Sequence, residues 1–127
     1  MDKKKIIGYT TGVFDMFHIG HLHILRQAKA QCDYLIVGVS TDELCASYKK
    51  KAQIVSFEER KAIVEAIRYV DEVVPQINRD KYAAWEKTPF DVMFVGDDWK
   101  GSPLFNELEE KFKKVGVRIE YFPYTQG

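Results

Sequence analysis

The chain has 127 residues, 46% of them hydrophobic and 30% charged, which is the composition of a single globular domain spanning residues 1–127. Its 19 basic and 19 acidic residues cancel, so no overall charge would draw the protein to nucleic acid or to an anionic membrane. Two cysteines are too few for a disulfide framework, and no apolar run approaches the roughly 20 residues that a membrane-spanning helix needs. We therefore expect a cytoplasmic protein in which any anion site is local.

The first half of the chain alternates short β-rich runs with helical patterns. It predicts strands at residues 5–10 and 34–39, with a Thr-Thr-Gly turn after the first. Helices are predicted at residues 20–30 and 41–47, followed by a loop at residues 48–55. A capping box, Ser-Phe-Glu-Glu at residues 56–59, predicts a third helix that runs to about residue 69. The residues expected to face inward on that helix are Ile63, Ala66, Ile67 and Val70.

The second half continues the alternation. Strands are predicted at residues 72–75, 91–95 and 117–122, a weak helix at residues 80–87, and an amphipathic helix at residues 104–115 that Gly116 ends. Strands separated by helices imply parallel pairing with helices on both faces. The sequence therefore predicts a single α/β domain, a Rossmann-like doubly wound parallel sheet of about five strands.

The unusual residues of the chain follow the predicted strands. They lie in residues 10–21 after the first strand, 40–41 after the second, 96–101 after the fourth and 123–127 after the last. In open parallel sheets, ligands bind beyond the carboxyl ends of the strands. These segments are therefore expected to meet at one edge of the sheet and to form one site.

The three histidines of the chain cluster after the first strand, at positions 18, 21 and 23. His18 lies in the predicted turn and His21 in the first turn of the following helix, where free backbone N–H groups favour an anion. Two imidazoles there could stabilise charge that grows on phosphate oxygens, without a protein nucleophile. His23 is turned about 200° around the helix from His21 and is expected to be a surface or packing residue. This spacing is poor for zinc, and we expect no dedicated metal site.

The run from Gly12 to His21, which ends in His-Ile-Gly-His, resembles the signature of the nucleotidylyltransferase superfamily. Residues 40–43, 59–61, 67–73 and 96–99, which include Arg-Tyr-Val-Asp-Glu-Val and Gly-Asp-Asp-Trp, resemble the small cytidylyltransferases in order and spacing. The most similar pattern is that of the glycerol-3-phosphate cytidylyltransferases. The resemblance extends over nearly the whole chain.

The resemblance implies a reaction in which CTP and a small alcohol phosphate give a CDP-alcohol and pyrophosphate. Glycerol 3-phosphate is the alcohol phosphate that the resemblance favours. It also implies that Mg²⁺ arrives with the nucleotide and that the protein is a homodimer. Three alternatives stay open at this point. The acceptor could be phosphocholine, phosphoethanolamine or another small phosphate, the nucleotide could be ATP, or the chain could bind nucleotide without catalysis.

By the same resemblance, the catalytic residues are His18, His21, Lys50 and Arg60, and the two histidines also bind the triphosphate. The other matching positions are implied to form the nucleotide site: Gly12, Val13, Phe14, Asp15, Arg68, Asp71, Gly96, Asp97, Asp98 and Thr125.

Plain structural interpretations compete with some of these roles. Asp15 could cap a turn, Lys50 could belong to a solvated run of lysines, and Arg60 could form a surface ion pair on its helix. Trp99 is expected to pack its loop rather than to stack on a base.

Two departures from the family pattern are visible. Val13 stands where the family has a threonine, so a hydroxyl beside the phosphates is lost. Tyr124 stands where it has an arginine, and the Ile-Ser-Thr-Thr segment that follows in the family is not found before Gly127. Either the sequence stops short of that segment, or this chain binds the triphosphate more weakly than the family does; both expectations stay open here.

Overall fold

The computed structural model describes residues 5–12, 14, 19–48, 55–77, 80–96 and 100–122. Within these ranges the strands are β1 Ile7–Gly12, β2 Tyr34–Ser40, β3 Glu72–Gln76, β4 Val92–Gly96 and β5 Arg118–Phe122. The helices are α1 Ile19–Ala30, α2 Asp42–Tyr48, α3 Phe57–Glu65, α4 Lys81–Lys87 and α5 Pro103–Lys113. Every element that the sequence predicts in these ranges is present. None of these helices combines the length and the apolar content that crossing a membrane requires.

The five strands form one parallel sheet in the order β3-β2-β1-β4-β5. The chain builds β2 and β3 on one side of β1 and then returns to build β4 and β5 on the other side. The strand order therefore reverses between β1 and β4, which is where sheets of this kind bind ligands. The predicted doubly wound α/β fold is confirmed.

Each face of the sheet carries its own core. On one face, Leu25 of α1 and Val64 of α3 pack on Val37 of β2. On the other face, Phe112 of α5 and half-buried residues of α4 pack on Met93 of β4. Because β2 is covered on both sides, its apolar residues are not alternating, as the sequence indicates.

The third helix differs from its prediction in length. It begins as predicted, with Ser56 as N-cap and its hydroxyl accepting from the N–H of Glu59 at 3.4 Å. It ends at Glu65, four residues early, because tight turns follow, in which the N–H groups of Ile67 and Val70 bond carbonyls three residues back. These turns set both apolar side chains against the core and bring Asp71 to the start of β3.

The buried face of α3 also differs from its prediction. Ile63 is 41% exposed and Ala66 is exposed, whereas Arg60 and Val64 are fully buried. Hydropathy assigns an arginine to the outside of a helix, so the pattern could not show that a guanidinium lies on the inner face. Ile67 and Val70 do pack inward, as predicted.

The first strand continues through the segment that the sequence predicts as a turn. Thr11 pairs with Gly38 and Gly12 pairs with Val39, so β1 ends two residues later than predicted.

The left-handed residue that ends α5 is predicted correctly, since Gly116 has φ 79°.

The central pair of strands pairs over only part of its length. β1 and β4 share two residue pairs, Gly8 with Val92 and Tyr9 with Met93. One residue further on, the buried Thr10 hydroxyl donates to the carbonyl of Phe94 at 3.0 Å in place of a ladder bond. Beyond that point both strands line a cavity, which therefore opens at the position where the strand order reverses.

Candidate active site

A cavity of about 640 Å³ lies beyond the carboxyl ends of β1, β2 and β4. Its volume is in the range of small-molecule sites. The strand ends contribute Gly12, Ser40 and Gly96, while α1 forms one wall and α5 the opposite wall. The sequence predicts a site at this edge of the sheet, and the cavity lies there.

Phe14, two residues beyond the end of β1, has a strained backbone. This residue has φ 55°, a left-handed conformation that costs a bulky residue about 1–3 kcal/mol. Its ring is 93% buried in the core, which offsets that cost by about 1.5–3 kcal/mol. The ring also lies over Gly12, where an added Cβ would sit 3.0 Å from Phe14 Cε2. Glycine at the strand end therefore makes room for the ring.

His21 lies in the first turn of α1 and lines the cavity. Its imidazole meets the Phe14 ring edge to face, with ring centroids 5.4 Å apart and planes at 70°. The first N–H groups of a helix have no partner within the helix, so the start of α1 adds a positive dipole end to the imidazole. This arrangement suits an anionic group such as phosphate. His23 does not line the cavity, as its helical position predicts.

Gln76 lines the cavity and pairs with a buried tyrosine, a pair that the sequence does not indicate. The buried Tyr9 hydroxyl donates to Oε1 of Gln76, which lines the cavity. Burial raises the pKa of Tyr9 well above its ordinary value, so the hydroxyl stays a donor. A Cβ on Gly38 would collide with that hydroxyl. A glycine inside an otherwise apolar strand was the one available signal of this close approach.

The side of the cavity away from α1 carries charge. Asp80 and Lys81 at the start of α4 line it, and so do Glu107 and Lys111 of α5, whose charged atoms are 3.9 Å apart. The Asp80 carboxylate also accepts the N–H groups of Tyr82 and Ala83 and so caps α4. In the sequence these residues look like ordinary helix surface, and nothing marks them as lining a site.

Arg60 is fully buried behind the cavity wall and does not line it. Its guanidinium donates to the carbonyl of Val55 at 2.9 Å, to the carbonyl of Ser40 at 2.7 Å and to Asp42 Oδ1 at 2.8 Å. The interpretation as a surface ion pair is therefore wrong. Because Ser40 lines the cavity, these bonds support its wall. A direct phosphate contact by Arg60 stays a prediction.

Arg68 and Asp71 do not line the described cavity, and their implied place in the nucleotide site stays a prediction. Arg68 is exposed and donates to the Tyr69 hydroxyl at 3.0 Å. Asp71 accepts from the N–H of Leu35 at 2.8 Å and from Lys29 Nζ at 2.5 Å. Both residues precede β3, and in a parallel sheet the residues before the strands lie at the edge opposite the residues after them.

The remaining predicted site residues lie outside the described part of the chain, and their roles stay predictions: Val13, Asp15, His18, Lys50, Asp97, Asp98 and Thr125. The same holds for Trp99 and Tyr124. Within the described ranges no group of three or more His, Cys, Asp and Glu side chains could hold a metal ion.

The chain resembles known proteins over nearly its full length. A glycerol-3-phosphate cytidylyltransferase from Bacillus subtilis (strain 168) is 42% identical over 131 residues, which cover 98% of this chain and 89% of that protein. An FAD synthase from Thermococcus kodakarensis is 36% identical over 121 residues, 93% of this chain and 78% of that protein.

The fold has a solved counterpart. The crystal structure of the lipopolysaccharide core biosynthesis protein from Thermoplasma volcanium GSS1 superposes with a TM-score of 0.79 at 27% identity, covering 98% of this chain and 99% of that one. The cytidylyltransferase-like family model matches residues 9–126. With this match and the full-length relatives, the chain belongs to the cytidylyltransferase-like family.

Proposed function

We propose that this protein is a cytidylyltransferase that joins CTP to a small alcohol phosphate, with glycerol 3-phosphate as the best candidate. The observation that carries the proposal is the 42% identity to a glycerol-3-phosphate cytidylyltransferase over 98% of the chain. The geometry supports it, because His21 lies beside the N-terminus of α1 in a cavity of nucleotide size. The products would be a CDP-alcohol and pyrophosphate.

In the proposed reaction, an oxygen of the acceptor phosphate attacks the α-phosphorus of CTP. The bond from that phosphorus to the bridging oxygen breaks, and pyrophosphate leaves with the electron pair. Such transfers depend on positioning and charge stabilisation rather than on a protein nucleophile. His21, together with His18, would donate hydrogen bonds to the oxygens whose charge grows, and the first N–H groups of α1 would add to that field.

The nucleotide would lie over the ends of β1 and β4, against Gly12 and Gly96, with the buried Phe14 side chain packed behind His21. Neighbouring positions of the same motifs are proposed to complete its site: Val13, Asp15, Asp97, Asp98 and Thr125. Lys50 is proposed to bind phosphate, since an ammonium can act there as a point charge.

Mg²⁺ would neutralise triphosphate charge when bound. The carboxylates that line the described cavity, Asp80 and Glu107, lie on its far side and do not form a three-ligand cluster. The triphosphate oxygens and water would therefore supply most of the metal's ligands, as is usual for Mg²⁺ with nucleotides.

Adenylyl transfer is a second candidate, and the 36% identity to an FAD synthase favours it. Pyrophosphate release separates the two. The purified protein is incubated with MgCTP or MgATP and, in turn, glycerol 3-phosphate, phosphocholine, phosphoethanolamine or flavin mononucleotide. We expect the fastest release with CTP and glycerol 3-phosphate. Faster release with ATP would replace the proposal by adenylyl transfer, and binding of CTP without release from any pair would indicate a non-catalytic nucleotide-binding protein.

We also propose that the protein acts as a homodimer in the cytoplasm. The support is the resemblance to the small cytidylyltransferases. Sedimentation equilibrium would show twice the mass of the 127-residue chain, and a monomer at micromolar concentration would contradict the proposal.

A further inference from the structure

We propose that Phe14 is a positioning residue for His21: its ring, which packs over Gly12 from a left-handed backbone conformation, fixes the orientation of the His21 imidazole at the cavity. The catalytic consequence rests on the proposed function. The orientation itself is a property of the fold and can be tested without any substrate.

The contact between the two rings is the first argument. The Phe14 and His21 centroids are 5.4 Å apart and their planes meet at 70°, which is a favoured arrangement of aromatic rings. A histidine ring turns broadly about its second side-chain torsion, so a half-buried imidazole at a cavity wall needs a neighbour to select one orientation. The Phe14 ring is one such neighbour.

The backbone at Phe14 is the second argument. At φ 55° glycine would be the unstrained residue, yet the chain places a phenylalanine there. Strain of this kind persists where the surroundings determine it strongly, and it collects at functional sites. Here the surroundings include Gly12, whose missing Cβ leaves the space that the ring occupies. The Phe14 ring therefore packs between Gly12 at the end of β1 and the His21 imidazole.

The Phe14 side chain packs in the core and also contacts His21. Phe14 belongs to a core cluster of aliphatic and aromatic residues, with Leu25, Val39 and Phe94 among its members. A leucine would bury a comparable side chain there, but it has no ring edge or face to offer the imidazole. Substitution by leucine therefore separates the role of Phe14 in core packing from its contact with the His21 imidazole.

The consequence for the reaction follows from preorganisation. A hydrogen-bond donor stabilises a transition state best when it already points at the position where charge develops. If Phe14 holds His21 in that direction, loss of the ring should lower kcat while leaving the KM for CTP within about threefold, because ground-state binding uses many other groups. A misplacement of about 1 Å can cost up to about a hundredfold, so we expect a loss in kcat of about tenfold to a hundredfold.

The first test is a nuclear magnetic resonance spectrum of the imidazole protons. The chain has three histidines, so three sets of signals are expected, which His18→Gln and His23→Gln assign. In Phe14→Leu the nuclear Overhauser contacts of the His21 ring protons with the cavity-lining side chains should change, because the imidazole loses the ring that orients it, and those of His23 should not. Phe112→Leu is the matched control, since it removes a fully buried ring that does not line the cavity. Unchanged His21 contacts in folded Phe14→Leu would overturn the proposal.

The second test is a double-mutant cycle on kcat with Phe14→Leu and His21→Ala. If Phe14 acts through His21, Phe14→Leu should lower kcat by less than about twofold in the His21→Ala background. If the losses in kcat of the two single variants multiply in the double variant, the proposal is overturned. If Phe14→Leu does not fold, Phe14→Met, which also removes the ring but keeps more of the side-chain volume, is read in the same two ways. A wild-type protein without transferase activity would refute the proposed function, while the imidazole spectra would still decide the position of His21.

Discussion

The two edges of the sheet use polar residues for different purposes. At the amino edge, aspartates directly before β2, β3 and β4 each accept a backbone N–H from a neighbouring strand or from the residue that precedes it. Asp33, Asp71 and Asp91 accept from Ile6, Leu35 and Ile7 at 2.7, 2.8 and 2.8 Å. At the carboxyl edge, the chain instead ends β1 in glycine, strains the backbone at Phe14 and leaves a cavity.

The difference shows that polar residues next to a strand do not mark a site unless they follow it. A carboxylate before a parallel strand can satisfy N–H groups that the ladder leaves unpaired, and it then stabilises the fold. A polar residue after the strand faces the position where the strand order reverses. We expect substitutions at the carboxyl edge to lower activity and substitutions at the amino edge to lower stability.

The largest expected effect is at His21. His21→Ala should lower kcat by about 10²–10³-fold, the usual loss when one preorganised donor to developing charge is removed. Thermal unfolding should change little, because alanine favours the helix and His21 is half-buried. His23→Ala, two residues along the same helix, is the control and should stay within about threefold of wild type. A comparable loss in that control would refute the assignment of His21.

Arg60 tests whether the carboxyl edge also contains residues that serve the fold. Arg60→Met leaves the carbonyls of Ser40 and Val55 without their donor, so we expect a loss of about 2–4 kcal/mol in the free energy of unfolding. Asp42 is 44% exposed and can be solvated, which limits the cost. Urea unfolding measures it, with Lys61→Met on the same helix as control. A loss below about 1 kcal/mol would mean that these bonds contribute little.

Asp71 tests the amino edge. Asp71→Ala removes the acceptor of the Leu35 N–H and the partner of Lys29, so we expect a loss of about 1–2 kcal/mol in unfolding free energy. The kcat of the folded variant should stay within about twofold of wild type. Asp71→Asn keeps an acceptor and should lose less stability. A folded Asp71→Ala protein with strongly reduced kcat would place this residue in the site after all.

The smallest effect is the pH dependence that Asp71 causes. Burial alone would raise the pKa of its carboxyl, but hydrogen bonds from Lys29 and from the Leu35 N–H outweigh burial and hold the pKa below its ordinary value. The carboxylate therefore contributes stability above about pH 4, and this contribution is lost as the pH falls further. Because the side chain is 31% exposed, we expect less than about 1 kcal/mol. A stability difference between wild type and Asp71→Asn that stays constant from about pH 6 to pH 2 would contradict this.

The sequence was sufficient for the order of the elements because periodicity, capping residues and apolar runs are local signals. It was insufficient where a tertiary contact decided the outcome. The Thr-Thr-Gly segment continues β1 because Thr11 and Gly12 find partners on β2. The inner face of α3 carries Arg60 because carbonyls of distant segments receive its donors.

The site shows the same limit. The sequence predicts the edge of the sheet and names Gly12, Phe14, His21 and Gly96, which all line the cavity. It also assigns Asp71 to the site by motif, although its position before β3 places it at the other edge. Tyr9 and Gln76 were missed because they lie 67 residues apart and meet only when β1 and β3 flank β2.

The central claim is that the cavity at the carboxyl edge binds CTP. It is tested most directly by adding MgCTP to ¹⁵N-labelled protein and following the backbone amide signals. We predict that the signals of Gly12, Ser40 and Gly96 move until the site is saturated, while those of Leu35 and Asp91 stay in place. Movement concentrated at the two amino-edge amides, or no movement at millimolar MgCTP, would contradict the account.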